Sequence, residues 1–201
     1  MKDKQRSLFE LTDHTLIHKA GHENIGETAE KIITKKESPV KSQVTWQLYV
    51  DGASRGNPGH AGAGVYVTKN SETVVHQGFY LGKKTNNEAE YCALLIGLFL
   101  VKKEMQAHEN LEKLQVFSDS QLLVYQINGV YQVKKPELRM LYTSAKHELA
   151  TYELAGVTVV FQHILREYNS KADEAANTGI DTRNPLPDKF LHMMRSHNVV
   201  R

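Results

Sequence analysis

Three runs of apolar and polar alternation come one after another near the middle of this chain, and only then does the pattern change to alternating strand-like and helix-like stretches. That order restricts the fold more than any single residue does. The runs are "VTWQLYV", "GAGVYVTK" and "TVVHQGFYLG", the last two joined by the turn-like "NSE", and they predict an antiparallel meander. "TNNEAEYCALLIGLFLVKKEMQAH" follows, with polar caps at Thr85 and Asn86, early acids Glu88 and Glu90, a long apolar middle and later lysines, all of which suit one helix. "KLQVFSD" reads as a short strand, "SQLLVYQING" as a helix closed by Gly129, and "KPELRMLYTSAKHELATYEL" as a helix with Pro136 near its start. "GVTVVFQHI" is a last strand, and "NSKADEAANTGID" a last helix opened by Asn169 or Ser170. Strands separated by helices should lie parallel at the sheet centre, so the expectation is an α/β domain: a mixed five-stranded sheet flanked by helices.

The domain should span 44–181. Residues 1–43 lack a sustained apolar period and end in the polar, proline-containing "TKKESPVKSQ", which reads as an extension and linker; residues 182–201 read as a C-terminal tail. A net charge of +2 does not diagnose a nucleic-acid partner, since any field must come from how charges are arranged. One cysteine, Cys92, excludes an internal disulfide, and its neighbours Ala89, Ala93, Leu95 and Ile96 make it a small buried hydrophobe. The first residues lack the apolar core of a signal peptide and no run reaches the length of a membrane span, so a cytoplasmic setting without membrane partners is expected.

"LYVDGASRGNPGHAGAGVYV" places Asp51 after the first strand, at the head of a glycine-rich stretch. Asp119 ends the fourth strand, and Glu90 and Asp173 lie in the first turns of two helices. In an open α/β sheet, strand carboxyl ends and helix amino ends gather on one edge, so four acids from four segments should converge. Such a cluster repels itself unless a cation sits in it, and all-oxygen ligands suit Mg²⁺, with Mn²⁺ as substitute. Two such ions about 4 Å apart are a known arrangement for displacement at phosphate. The glycines are then expected to let a substrate backbone come close. Taken singly, each acid reads more plainly as a turn, cap or helix-dipole residue; it is their joint placement that points to chemistry.

These segments resemble the type 1 ribonuclease H family. "YVDGASRGNPGHAGAG", "TNNEAEYCALLIGL", "VFSDSQLLVYQING" and "REYNSKADEAAN" are similar to its four motifs, in family order, over roughly 44–181. The resemblance implies a ribonuclease H-like fold and a metal-dependent endonuclease, a monomer without small-molecule cofactor, cutting the RNA strand of RNA–DNA hybrids. It implies that Asp51, Glu90, Asp119 and Asp173 hold two Mg²⁺ ions, and that Asn57, Asn87 and Gln121 read the minor groove, where only RNA offers a 2′-hydroxyl. Thr85 and Asn86 are implied as holders of a DNA phosphate. Many members carry a lysine- and tryptophan-rich handle before the last crossover helix. Here "GVYQVKKPEL" runs almost directly into that helix, leaving Lys134, Lys135 and Arg139 as a modest basic patch, and the chain is similar to the handle-less subgroup. Arg166 is favoured over His163 as the group assisting product departure, because a permanently charged fork suits phosphate better than a mostly neutral imidazole. A rival reading keeps the same fold as a module that binds hybrid or structured RNA with weak turnover; a junction resolvase is disfavoured by the asparagines. His14, His18 and His22, spaced four apart, read as a polar face or loop rather than a metal site.

Overall fold

The computed structural model describes residues 44–107 and 111–196; the triple-histidine segment lies outside them. Among the described residues, five strands and four helices appear in the order expected, followed by a fifth helix. They are β1 (Trp46–Gly56), β2 (Gly59–Lys69), β3 (Glu72–Lys84), α1 (Asn86–Ala107), β4 (Lys113–Ser118), α2 (Gln121–Ile127), α3 (Pro136–Leu154), β5 (Thr158–His163), α4 (Ser170–Thr182) and α5 (Asp188–Ser196). A single 3₁₀ turn, Arg166–Asn169, precedes α4. The sheet order is β3-β2-β1-β4-β5, with β1, β2 and β3 antiparallel and β1, β4 and β5 parallel. None of the described helices is long and apolar enough to cross a membrane.

The β2–β3 turn takes Asn70 and Ser71 at positive φ (51° and 68°), the conformation a tight hairpin needs to follow the strand twist. Helix α1 starts with a reciprocal cap. The Thr85 amide and hydroxyl donate to the Glu88 carboxylate (2.8 and 2.7 Å), and the Glu88 amide donates back to the Thr85 hydroxyl (3.3 Å). The apolar middle of α1 lies on the central strands. Leu94, Leu95, Ile96 and Leu98 join Trp46, Leu48, Val50 and Val65 in one core. Two buried hydroxyls tie neighbouring helices to α1: Tyr91 donates to Gln126 of α2 (2.8 Å), and Tyr152 of α3 donates to the Leu98 carbonyl (2.6 Å). Cys92 is buried as expected, and burial pushes its thiol up to about 12, which keeps it inert.

Three expectations need correction. Asp51 does not follow β1 but lies inside it, paired with Gly64, because the strand continues through small residues to Gly56. At Gly52, Gly62 and Gly64 the missing side chain lets a helix, not a substrate, touch the sheet backbone, as it does at Gly78 of β3. A Cβ at Gly64 would lie 1.9 Å from the Ala172 carbonyl oxygen of α4, one at Gly78 would lie 1.7 Å from that of Ala175, and one at Gly52 would lie 2.1 Å from the Glu90 amide of α1. Finally, the expected tail from 182 onward includes α5, whose Phe190 and Met194 are buried in the core, Phe190 edge-on to Phe99 of α1 (5.6 Å between ring centres). A nine-residue helix behind "NPLP" shows too few apolar turns to be read from pattern alone.

Gly78→Ala should therefore destabilise the domain by about 2 kcal/mol or more through overpacking, although alanine normally strengthens a chain by restricting its unfolded state. Phe190→Ala should cost about 3 kcal/mol. Thermal unfolding followed by circular dichroism checks both; an unchanged midpoint for Phe190→Ala would remove α5 from the core.

Candidate active site

The parallel pairing of β1 with β4 sets Tyr49 beside Phe117, so the chain just beyond each pair, Asp51 and Asp119, ends up side by side. Helix α1 adds Glu90 from its first turns, where the Gly52 amide donates to Glu90 Oε2 (3.2 Å). The close seat of α4 adds Asp173. Asp51 and Glu90 are each only 5% exposed, and Asp119 and Asp173 are half-buried. An open groove of about 540 Å³ is lined by Asp51, Glu90, Asp119, Arg166, Asn86 and Gln121, among others.

The electrostatics follow from crowding and burial. Burial raises the Asp51 carboxyl to about 7, helped by the charges of Asp119 and Asp173 and by a hydrogen bond shared with the Asp119 carboxyl. Burial likewise pushes Glu90 well above the usual carboxylate range, with Asp51 and Asp119 adding to it and the Gly52 amide opposing it. The Arg166 guanidinium lowers both. Its Nη2 contacts Asp173 Oδ1, and that contact raises Arg166 further above its own ordinary value.

Carboxyl oxygens gather in this part of the groove, and burial there works against the charged forms of Asp51 and Glu90. Both facts fit a hard divalent cation, which would favour the ionised forms. Among the described residues no three His, Cys, Asp or Glu side chains already close into a finished metal shell.

The other expected residues are only partly brought together. Asn57 is exposed on the β1–β2 turn and accepts a hydrogen bond from the Asn86 amide (3.1 Å), coupling that turn to the start of α1. Gln121 is exposed at the groove wall. Asn87 is half-buried and does not line the groove, and the Thr85 hydroxyl is engaged in the cap with Glu88. His163 points back toward the chain, its Nε2 at 3.2 Å from the Asp119 carbonyl, whereas Arg166 reaches Asp173. Two residues escaped sequence reading. Asn177 lines the groove and donates to the Asp173 carbonyl (3.0 Å), and Asn169 is buried against Asp119. Nothing in their local sequence separates them from helix-start and helix-surface asparagines.

Comparison with known proteins shows the family and the fold. The family model described as reverse transcriptase-like matches residues 49–179. Ribonuclease HI of Halobacterium salinarum is 32% identical over 185 residues, covering 85% of this chain and 88% of that one. The crystal structure of RNase H1 from that halophilic archaeon superposes with a TM-score of 0.61 at 31% identity, covering 69% of this chain and 98% of the other. LC11-RNase H1, solved in complex with an RNA/DNA hybrid, superposes at 0.62 with 38% identity, covering 68% and 97%. This chain belongs to the type 1 ribonuclease H family. The expected ribonuclease H-like architecture is thereby borne out.

Asp51 also sets a pH dependence. Its folded value, about 7, exceeds its ordinary 3.8, so the folded chain keeps a proton that the unfolded chain releases between those values. Stability should fall as pH rises through that window, by at most about 4 kcal/mol. In metal-free buffer Asp51→Asn should unfold at a higher temperature than the parent at pH 8, and the difference should vanish near about pH 4. A variant less stable at pH 8 would contradict the buried-carboxyl account.

Proposed function

We propose that this protein is a divalent-metal-dependent endonuclease that hydrolyses the RNA strand of RNA–DNA hybrids, leaving 5′-phosphate and 3′-hydroxyl ends. The observation that carries this reading is the gathering of four acids from four separate segments: Asp51, Glu90 and Asp119 line one open groove beside Asn86 and Gln121, and Asp173 lies near enough to raise the Asp51 carboxyl. Family membership supports it, as does the hybrid bound to LC11-RNase H1.

The four carboxylates are assigned as ligands for two Mg²⁺ ions, with Mn²⁺ as substitute; bound there, the ions would activate water and stabilise the leaving oxygen at the scissile phosphate. Asp51 sits between the other acids and is the natural shared ligand. Burial of Asp51 and Glu90 excludes bulk water from their side of the groove and strengthens every charge interaction within it. Arg166 is exposed and held beside Asp173, so its fork is free to exchange that carboxylate for a product phosphate. Asn57 and Asn86, tied together on one side, and Gln121 on the other offer neutral amides to 2′-hydroxyls and base edges. The protein is taken to act as a monomer, in the cytoplasm, without a small-molecule cofactor.

Asp119→Asn should reduce cleavage of an end-labelled hybrid by about 1,000-fold or more while leaving the circular dichroism spectrum unchanged. Duplex DNA should stay intact throughout. Retention of uncut hybrid by the parent protein in both Mg²⁺ and Mn²⁺ would replace the enzyme by a binding module. Arg166→Ala should lower kcat about tenfold or more with a smaller change in KM, since its contribution falls after binding.

A further inference from the structure

Asn169 occupies the last position of the 3₁₀ turn, immediately before α4, where an asparagine ordinarily turns its side chain to cap the helix. Here the side chain makes no capping bond. It turns inward to a position only 1% exposed, and its Nδ2 donates twice: to the Val50 carbonyl (3.0 Å) and to Asp119 Oδ1 (2.7 Å). Both amide hydrogens are thereby used. The orientation is forced by chemistry, because exchanging the amide oxygen and nitrogen would press an oxygen against a carbonyl and a carboxylate.

The other end of the amide is unfavourably placed: Asn169 Oδ1 is buried without a hydrogen-bond partner. A buried orphan acceptor costs about 1–3 kcal/mol, so an asparagine serving stability alone has little reason to sit there. What the donor end accomplishes is specific to the groove. It grips the backbone one residue before Asp51, holds one oxygen of Asp119, and starts the helix that carries Asp173.

We infer that Asn169 is a positioning residue that sets Asp119 relative to Asp51 and so preorganises the acidic groove for divalent cation. The inference rests on the proposed reading of that groove as a cation-dependent nuclease site. An amide that directs a ligating carboxylate acts through that carboxylate and not on the substrate. Its removal should appear in cation binding before it appears in hybrid binding. The effect should also depend on the carboxylate being present, which a general loss of stability would not.

The test is calorimetric titration of the full chain with Mn²⁺ alone, for the parent, Asn169→Ala, Asn169→Ser, Asp119→Asn and the two Asn169 variants combined with Asp119→Asn. Serine keeps a polar helix start but is too short to bridge both acceptors. Each Asn169 variant should bind Mn²⁺ about 10- to 100-fold more weakly than the parent, with hybrid KM changed by less than about twofold. In the Asp119→Asn background the same substitutions should weaken Mn²⁺ by less than about twofold. Parent-like Mn²⁺ affinity in the single variants, or an equal loss in both backgrounds, would overturn the inference and leave the nuclease reading standing. A parent that binds no Mn²⁺ would overturn both. If neither Asn169 variant folds, as seen by circular dichroism, the residue is a folding requirement and the positioning assignment is wrong.

Discussion

Backbone contact between α4 and the meander is the constraint on which the rest of this structure depends. Side chains normally separate a helix from a sheet, and here they are missing on both sides: Gly62, Gly64 and Gly78 face Ala172, Ala175, Ala176 and Gly179. Because residues opposite each other in an antiparallel pair share a face, Gly64 and Asp51 project the same way. The empty space at Gly64 is filled by the first turn of α4, and that turn carries Asp173 to the carboxyl of Asp51. A conventional spacing would place the fourth acid too far away to join the other three. The glycines thus act on the site indirectly, by setting how deeply the helix sits.

Gathering four acids has an energetic consequence that must be offset elsewhere. The raised carboxyls of Asp51 and Glu90 show where the strain falls: on the two acids most removed from water. The opposite face of the sheet supplies the compensation, with α1 laying its apolar middle across the central strands while α2, α3 and α5 join the same core. Each fully buried leucine or isoleucine there contributes about 1.5–3 kcal/mol. The division of labour is spatial: the functional charge gathers at one sheet edge, to which the first turns of α1 contribute Glu90, while the apolar middle of α1 and its neighbouring helices hold the fold.

Much of this was legible in the sequence, and the parts that were not share a cause. Strand and helix order followed from period, because alternation and a 3.6-residue repeat leave different marks on apolar spacing. The gathering of Glu90, Asp119 and Asp173 followed from that order, since strand ends and helix starts must meet. Asp51 was displaced into a loop because glycine and alanine carry no strand period, so "GASRGNPGHAGAG" reads as irregular when it is two paired strands. The glycines were assigned to substrate approach because a sequence does not say which element fills the space a missing side chain leaves. Helix α5 was too short for its pattern to stand out. Asn169 reads as an ordinary cap, and only the direction of its amide, set by tertiary contact, distinguishes it.

The two walls of the groove differ in kind, and the difference bears on recognition. On the β1–β2 side, Asn57 is joined to the Asn86 amide, and α1 is anchored one residue earlier by the Thr85–Glu88 cap. That wall presents amides, together with Arg55 of β1, which lines the groove and pairs with Asp181 (2.6 Å). On the β5 side, Arg166 is exposed and held mainly by its contact with Asp173. That wall is charged, with one long side chain whose partner belongs to the acid cluster itself. A short α2–α3 connection with Lys134 and Lys135 adds little further positive charge. Under the proposed function, a nucleic acid would therefore be selected chiefly by amide geometry on the β1–β2 side. Electrostatic attraction would be concentrated at the guanidiniums of Arg55 and Arg166 and at the cations in the groove. A site arranged in this way distinguishes substrates by hydroxyls and groove shape more than by total charge, which accords with a chain whose net charge is only +2.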